Sequence, residues 1–159
     1  MVTLSGKNII GSRLSAEGSI VFRAENPANG EKLEPDFHEA SEKEIWQAIE
    51  KAAEAFQSYR NTTGKARAEF LEAIGDEINS IGDDLIVRCM AETGLPEARL
   101  KGERGRTTGQ LKMFASYLRD GSWVEARVDK ADPTRTPPKP DIRSMQKALG
   151  PVGDRKSVV

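Results

Sequence analysis

Three sets of side chains in this sequence could take part in chemistry: the single cysteine, the single histidine and a run of basic residues. A catalytic cysteine needs a neighbouring base or a positive environment to hold its thiolate form. Cys89 follows Leu85 by one helical turn, on the apolar face of a short predicted helix. This position favours a buried structural thiol over a nucleophile.

The only histidine, His38, stands beside Phe37 in a predicted loop before Ser41. No cysteine or second histidine accompanies it at the spacing of metal ligands, so a packing or surface role is favoured. No Ser/His/Asp set can be assigned from the sequence either. We therefore expect no catalytic and no metal-binding residue in this chain.

A basic run interspersed with glycines raises the question of a phosphate-binding loop. A P-loop has a glycine, four residues and then Gly-Lys-Ser/Thr, but Leu100 stands where the first glycine belongs. The dinucleotide fingerprint G-x-G-x-x-G is also absent. The sequence favours a solvated basic face, with glycines where helices approach closely, over an anion-binding helical domain, and predicts no cofactor-binding residue. The residues concerned are Arg99, Lys101, Arg104 and Arg106 with Gly102, Gly105 and Gly109.

The elements that must position these groups fall into four segments. Residues 1–40 contain short extended runs and a strong turn signal at 26–30, which predict a small antiparallel strand arrangement. Residues 41–121 read as four helices, the first opened by a capping box from Ser41 to Glu44. The second begins near Thr63, and Gly94 is expected to end the third. The fold class is therefore predicted to be α+β.

Residues 122–152 are predicted to form a long hairpin around a connection that contains four prolines. Its first strand is expected to include Val124, Ala126 and Val128, and its second Ile142, Met145 and Leu149. Residues 153–159 form a polar, charged tail that we expect to lack fixed structure.

Composition narrows the functional classes. The chain carries 24 basic and 25 acidic residues, so no net field attracts nucleic acid or an anionic membrane. No apolar run approaches the ~20 residues that span a bilayer. With one cysteine there is no internal disulfide, and a cytoplasmic location is the default expectation. The apolar stripes of the predicted helices each require a partner surface.

Several segments, in order, resemble the first third of an aldehyde dehydrogenase. Residues 26–31 (NPANGE) are similar to that family's NPATGE turn, and residues 52–56 (AAEAF) to its A-x-x-A-F helix. Residues 67–74 resemble its R-x-x-x-L-x-x-I helix, and residues 91–96 (AETGLP) its E-T-G-K-P helix end. Residues 114–123 and 137–143 look like one branch in particular, which oxidises 2-ketoglutarate semialdehyde.

This resemblance implies a parent enzyme that oxidises a semialdehyde with NAD or NADP, and a helical region that packs against its dinucleotide-binding core. It also implies that residues 122–152 form an oligomerisation hairpin. The family's nucleophilic cysteine, general-base glutamate and cofactor glycines all lie beyond the matching segment, and Cys89 matches none of them. We therefore expect this chain to be inactive alone, to bind no cofactor and to self-associate. Its last residues fit a truncated or frameshifted reading frame.

A second hypothesis from a different class remains open. The chain could be a non-catalytic interaction module that assembles with full-length dehydrogenase subunits through residues 122–152. Mixed oligomers with the intact enzyme would distinguish this role from that of an inactive segment.

Overall fold

The chain consists of short β-hairpins at both ends and four helices between them. A computed structural model describes residues 4–154. Two hairpins come first, four helices follow, and a third hairpin ends the described chain, which confirms the predicted α+β class. The elements are β1 (Asn8–Ile10), β2 (Arg13–Ser15), β3 (Val21–Glu25), β4 (Lys32–His38), α1 (Glu42–Tyr59), α2 (Gly64–Ser80), α3 (Asp83–Thr93), α4 (Glu97–Asp120), β5 (Arg127–Asp129) and β6 (Ile142–Ser144).

The first segment forms two separate antiparallel pairs, β1 with β2 and β3 with β4. The predicted turn between β3 and β4 is confirmed: the Gly30 amide donates to the Asn26 carbonyl at 2.8 Å. Phe22 and Phe37 stack across this pair, with ring centroids 5.7 Å apart. The prediction that His38 lies in a loop is wrong, because β4 continues through Pro35 and pairs His38 with Val21.

The helices begin and end at the predicted signals. The Ser41 side chain accepts from the Glu44 amide and the Glu44 side chain accepts from the Ser41 amide, which is the predicted capping box. Thr63 caps α2 through the Ala66 amide. Gly94 ends α3 with a left-handed φ of 67°, a conformation in which a side chain would be strained.

Helices α2 and α4 pack closely and antiparallel. A Cβ added at Gly64 would lie 2.6 Å from the Leu118 carbonyl oxygen, so these backbones nearly touch at one end. Toward the other end Gly75 faces Thr108. Between them the side chains of Ala68 and Ala115 are fully buried. Small residues on both helices thus allow the short interhelical distance.

The third hairpin is shorter than the sequence suggests. Residues 122–124 form a 3-10 turn after Gly121, and β5 begins only at Arg127. The predicted strand from Val124 is therefore wrong at its start, because a left-handed Gly121 and a left-handed Glu125 redirect the chain. The returning strand is confirmed at Ile142, which pairs with Asp129, but it ends at Ser144, so the prediction that it includes Met145 and Leu149 is wrong.

Very little of the described chain is buried. Ala68, Ile86 and Ala115 are the only buried apolar side chains among residues 4–154, and two of them are alanines. A complete domain of this size buries roughly 68–70% of the surface of its unfolded chain. The helices therefore display most of their apolar stripes on the surface.

Candidate association surface

Cys89 and His38, the two residues considered in the sequence as candidates for catalysis or metal binding, do not form a site. Cys89 lies on α3 and is half-buried, less buried than the structural role predicted from the sequence implied. His38 is half-buried in β4, and its backbone amide donates to the Gly6 carbonyl at 3.0 Å. Among residues 4–154, no group of three His, Cys, Asp or Glu is arranged to hold a metal ion.

The basic run on α4 is neutralised by its own helix. Arg99 pairs with Glu103 at 2.9 Å, and Lys101 with Glu97 one turn away. Arg104 donates to the Gly82 carbonyl at 2.7 Å and so ties α4 to the turn that precedes α3. These contacts support the solvated basic face rather than an anion-binding domain.

The glycines of α4 do not mark a close helix contact within this chain, contrary to the prediction. A Cβ added at Gly102, Gly105 or Gly109 would meet nothing within 4 Å in the described structure. These three positions lie on one flank of α4, about a quarter turn from Thr108 and Ala115, which face α2. This flank of α4 therefore leaves its backbone uncovered at the three glycines in the described structure.

Helix α1 presents an exposed apolar face made of large side chains. Ile45, Trp46 and Ile49 are 50%, 57% and 51% exposed. The element that α1 mainly contacts is β1, and this contact covers none of the three. Ile45 and Ile49 follow the helical spacing of an apolar stripe, whereas Trp46 lies beside it in the sequence. An unpartnered apolar face of this kind typically marks a contact with another chain or segment.

A buried carboxylate fixes this face relative to the first hairpin. Glu44 has no exposed surface, and its oxygens accept from the Ser41 amide at 2.8 Å and from the Glu17 amide at 3.2 Å. Hydrogen bonds from the Ser15 side chain and from these two amides outweigh burial and hold the pKa of Glu44 at about 2. Sequence reasoning identified the cap but missed Glu17. Gly18 was the available signal, because a Cβ there would lie 1.9 Å from the Glu39 carbonyl oxygen.

A second apolar surface lies between β4 and α3. It is a groove of about 330 Å³, and its apolar lining includes Leu4, Leu33, Leu85 and Val87. Val87 is 64% exposed, so the groove is open to solvent. Arg88 closes one end, where its guanidinium donates to the Glu34 carbonyl.

The third hairpin contributes open strand edges and exposed apolar side chains. Within the described chain, β5 and β6 pair only with each other, which leaves one edge of each strand unpaired. Val128 and Ile142 are both exposed, and Leu149, just beyond β6, is 98% exposed. Unpaired edges of this kind can accept a strand from another chain.

The sheets of the described residues differ from the parallel sheets over which a nicotinamide dinucleotide commonly binds. Such a cofactor binds at the carboxyl ends of parallel strands, over a glycine-rich turn. The three sheets of residues 4–154 are two-stranded and antiparallel. No helix in this range is long and apolar enough to cross a membrane.

Comparison with known proteins assigns this arrangement to a family. Residues 14–153 match the model of the aldehyde dehydrogenase family. The chain is 48% identical over 151 residues to alpha-ketoglutaric semialdehyde dehydrogenase 2 of Azospirillum brasilense, covering 94% of this chain and 29% of that protein. It is 38% identical to alpha-ketoglutaric semialdehyde dehydrogenase of Acinetobacter baylyi, covering 93% and 28%.

Solved structures agree with this assignment. The crystal structure of succinate-semialdehyde dehydrogenase from Burkholderia pseudomallei superposes with a TM-score of 0.70 at 29% identity, over 80% of this chain and 26% of that one. The chain thus spans less than a third of the length of the relatives it matches. On the evidence of the family match and of these identities, this chain belongs to the aldehyde dehydrogenase family.

Proposed function

We propose that this chain forms the amino-terminal part of an NAD(P)-dependent aldehyde dehydrogenase that oxidises 2-ketoglutarate semialdehyde to the acid in the cytoplasm. The observation that carries the proposal is the 48% identity, over nearly the whole chain, to a relative named for alpha-ketoglutaric semialdehyde. A second relative with the same named substrate is 38% identical over a similar range. Two matches with one named substrate favour that aldehyde over others.

The chain alone is inactive in this proposal. Its only thiol, Cys89, sits half-buried on α3, and its described sheets lack the parallel edge that a dinucleotide requires. The nucleophile, the base and the cofactor site belong to the remainder of the enzyme. The contribution of this chain is structural: α2 and α4 form a rigid pair, and the exposed face of α1 is available to the rest of the protein.

A chimera tests the proposed activity. Replacing the matching 29% of the Azospirillum enzyme with this chain should give a protein that oxidises alpha-ketoglutaric semialdehyde with a kcat/KM within about tenfold of the parent. The isolated chain, purified from a host strain without the dehydrogenase, should give only background NAD(P)H formation. A folded chimera with no activity, or an active isolated chain, contradicts the proposal.

Association through residues 122–152 is part of the same proposal. The open edges of β5 and β6 and the exposed Val128 and Ile142 support it, because a lone two-stranded hairpin is marginal in water. We expect the chain to form dimers or larger species at micromolar concentration. Deleting residues 123–159 should reduce this association without abolishing it, because the apolar face of α1 remains. A monomer in light scattering contradicts this part.

An interaction module is the alternative, favoured by the amount of apolar surface that the chain displays. Adding tagged chain to the intact Azospirillum enzyme and separating the species by size gives the decisive readout. Mixed oligomers that depend on residues 122–152 favour the module. Homo-oligomers of each partner, with no exchange, favour the inactive amino-terminal segment.

A further inference from the structure

A basic cleft of about 240 Å³ lies between the α1–α2 turn and the end of the third hairpin. Three cationic side chains line it, those of Arg60, Arg67 and Lys147, together with the indole of Trp123. No aspartate or glutamate is among its lining residues in the described chain. The cleft therefore gathers positive charge from two distant parts of the sequence.

These three cations differ from the basic run on α4. Each of Arg99 and Lys101 has a glutamate within 3 Å on its own helix. By contrast, no carboxylate of residues 4–154 lies within the 4.0 Å ion-pair distance of Arg60, Arg67 or Lys147. Their charge is not neutralised locally, so the cleft attracts an anion.

Aromatic rings hold the two guanidinium groups in place. The guanidinium carbon of Arg67 lies 5.3 Å from the ring centroid of Trp123, and that of Arg60 lies 5.1 Å from Phe56. The Arg67 Nε is buried and has no hydrogen-bond partner in the described structure. A buried donor without a partner is unfavourable, and an acceptor bound in the cleft would satisfy it.

The donor set defines the class of ligand. A guanidinium stacked on a ring keeps its N–H donors at its edge, where their fork geometry matches the paired oxygens of a carboxylate or phosphate. Lys147 adds a mobile point charge. Three cations and no acid suit more than one negative charge.

We propose that this cleft binds a small doubly charged oxyanion, a phosphate or a dicarboxylate, through Arg60, Arg67 and Lys147. The proposal rests on the residues of the cleft and does not depend on the substrate proposed above. It also differs from the basic run that the sequence singled out.

Titration of the 159-residue chain with inorganic phosphate, and separately with succinate, tests the site at constant ionic strength. The readout is the indole N–H signal of Trp123 in a proton–nitrogen NMR spectrum. We expect saturable binding by at least one of the two anions, which also identifies the oxyanion class. Arg60→Gln and Lys147→Gln should each weaken binding by about tenfold, as loss of one charge-assisted contact does. Lys147→Arg should retain binding.

Arg106→Gln is the matched control, because Arg106 is an exposed cation on α4 outside the cleft. It should leave the affinity unchanged. Arg60 and Lys147 are exposed, so their replacement leaves the fold intact. The proposal is overturned if neither anion saturates the signal below about 10 mM, a free energy of only about 3 kcal/mol. It is also overturned if Arg106→Gln weakens binding as much as Lys147→Gln, since the effect would then reflect net charge alone.

Discussion

The α2–α4 pair and helix α1 differ in how far their apolar faces are buried within the described chain. In α2 and α4 the contact is made by small residues, and Ala68 and Ala115 have no exposed surface. In α1 the apolar face is made of large residues, and Ile45, Trp46 and Ile49 remain about half exposed. One helix pair is completed inside the chain, and the other helix offers its face outward.

The difference shows that the residue spacing that defines an apolar stripe does not determine which surface covers it. A stripe is a local property of spacing, whereas its partner depends on which backbones can approach each other. Glycine and alanine at Gly64, Ala68 and Gly75 let α4 approach α2 closely. The bulky face of α1 finds no such surface within the described chain. Small residues permit this internal contact, but Gly102, Gly105 and Gly109 on α4 show that a small residue alone does not indicate one.

The largest expected effect comes from filling the α2–α4 contact. Ala68→Leu adds three carbons where no space is exposed, so we expect the free energy of unfolding to fall by about 1–3 kcal/mol. Ala52→Leu on the exposed part of α1 is the control and should change it by less than about 0.5 kcal/mol. Urea unfolding followed by circular dichroism measures both. Equal losses would show that α1 is packed as tightly as α2.

The next largest effect on stability concerns the Ser41 cap at the start of α1, a helix whose apolar face is about half exposed. Ser41→Ala removes the acceptor of the Glu44 amide and should destabilise the chain by about 1 kcal/mol. Thermal unfolding at pH 7 measures the change. A shift no larger than that of Ser58→Ala, at the other end of the same helix, would mean that the cap contributes nothing.

Lowering the pH should also destabilise the start of α1, through protonation of Glu44. The pKa of Glu44 is lowered from 4.5 to about 2, so the carboxylate stabilises the folded chain fully above about pH 4.5 and progressively less toward pH 2. Glu44→Gln should lower the melting temperature at pH 7 and flatten its decline between pH 4.5 and 2. Glu50→Gln, exposed on the same helix, should keep the wild-type profile. Superimposable profiles for the wild-type chain and Glu44→Gln would contradict the assignment.

The smallest effect is expected at Gly109 on α4, which is compared with Gly64 in the contact between α2 and α4. Gly109→Ala places a methyl group in open space within a helix, so we expect it to stabilise the chain by about 0.5–1 kcal/mol. Gly64→Ala should instead destabilise it, because its Cβ would lie 2.6 Å from the Leu118 carbonyl oxygen. Opposite signs in urea unfolding are the expected result. A loss of stability in Gly109→Ala would mean that other atoms pack against Gly109, contrary to the open space around it in the described structure.

Local signals in the sequence predicted the ends of helices well. The Ser41 cap, the Thr63 cap and the Gly94 stop are each decided by a few neighbouring residues. The sequence predicted a strand arrangement over residues 1–40 but not β4, because Pro35 and Asp36 are depleted in strands and only the pairing with β3 holds them there. Tertiary pairing is not encoded in a local pattern.

The candidate surfaces were predicted in part for the same reason. Spacing indicated the apolar stripe of α1, but not that it stays uncovered, nor that Trp46 joins it. The basic cleft could not be predicted, because Arg67 and Lys147 are distant in sequence and meet only through the fold. The basic run on α4, which was visible in the sequence, is neutralised by glutamates one turn away.

The buried Glu44 also sets an order in which this chain acquires structure. Its capping box with Ser41 spans four residues and can close as soon as α1 begins to form. The bond from the Glu17 amide reaches back across 27 residues, so the loop after the first hairpin gains its acceptor only after that turn exists. During synthesis from the amino terminus, the first hairpin must therefore wait for α1 to emerge before it can dock.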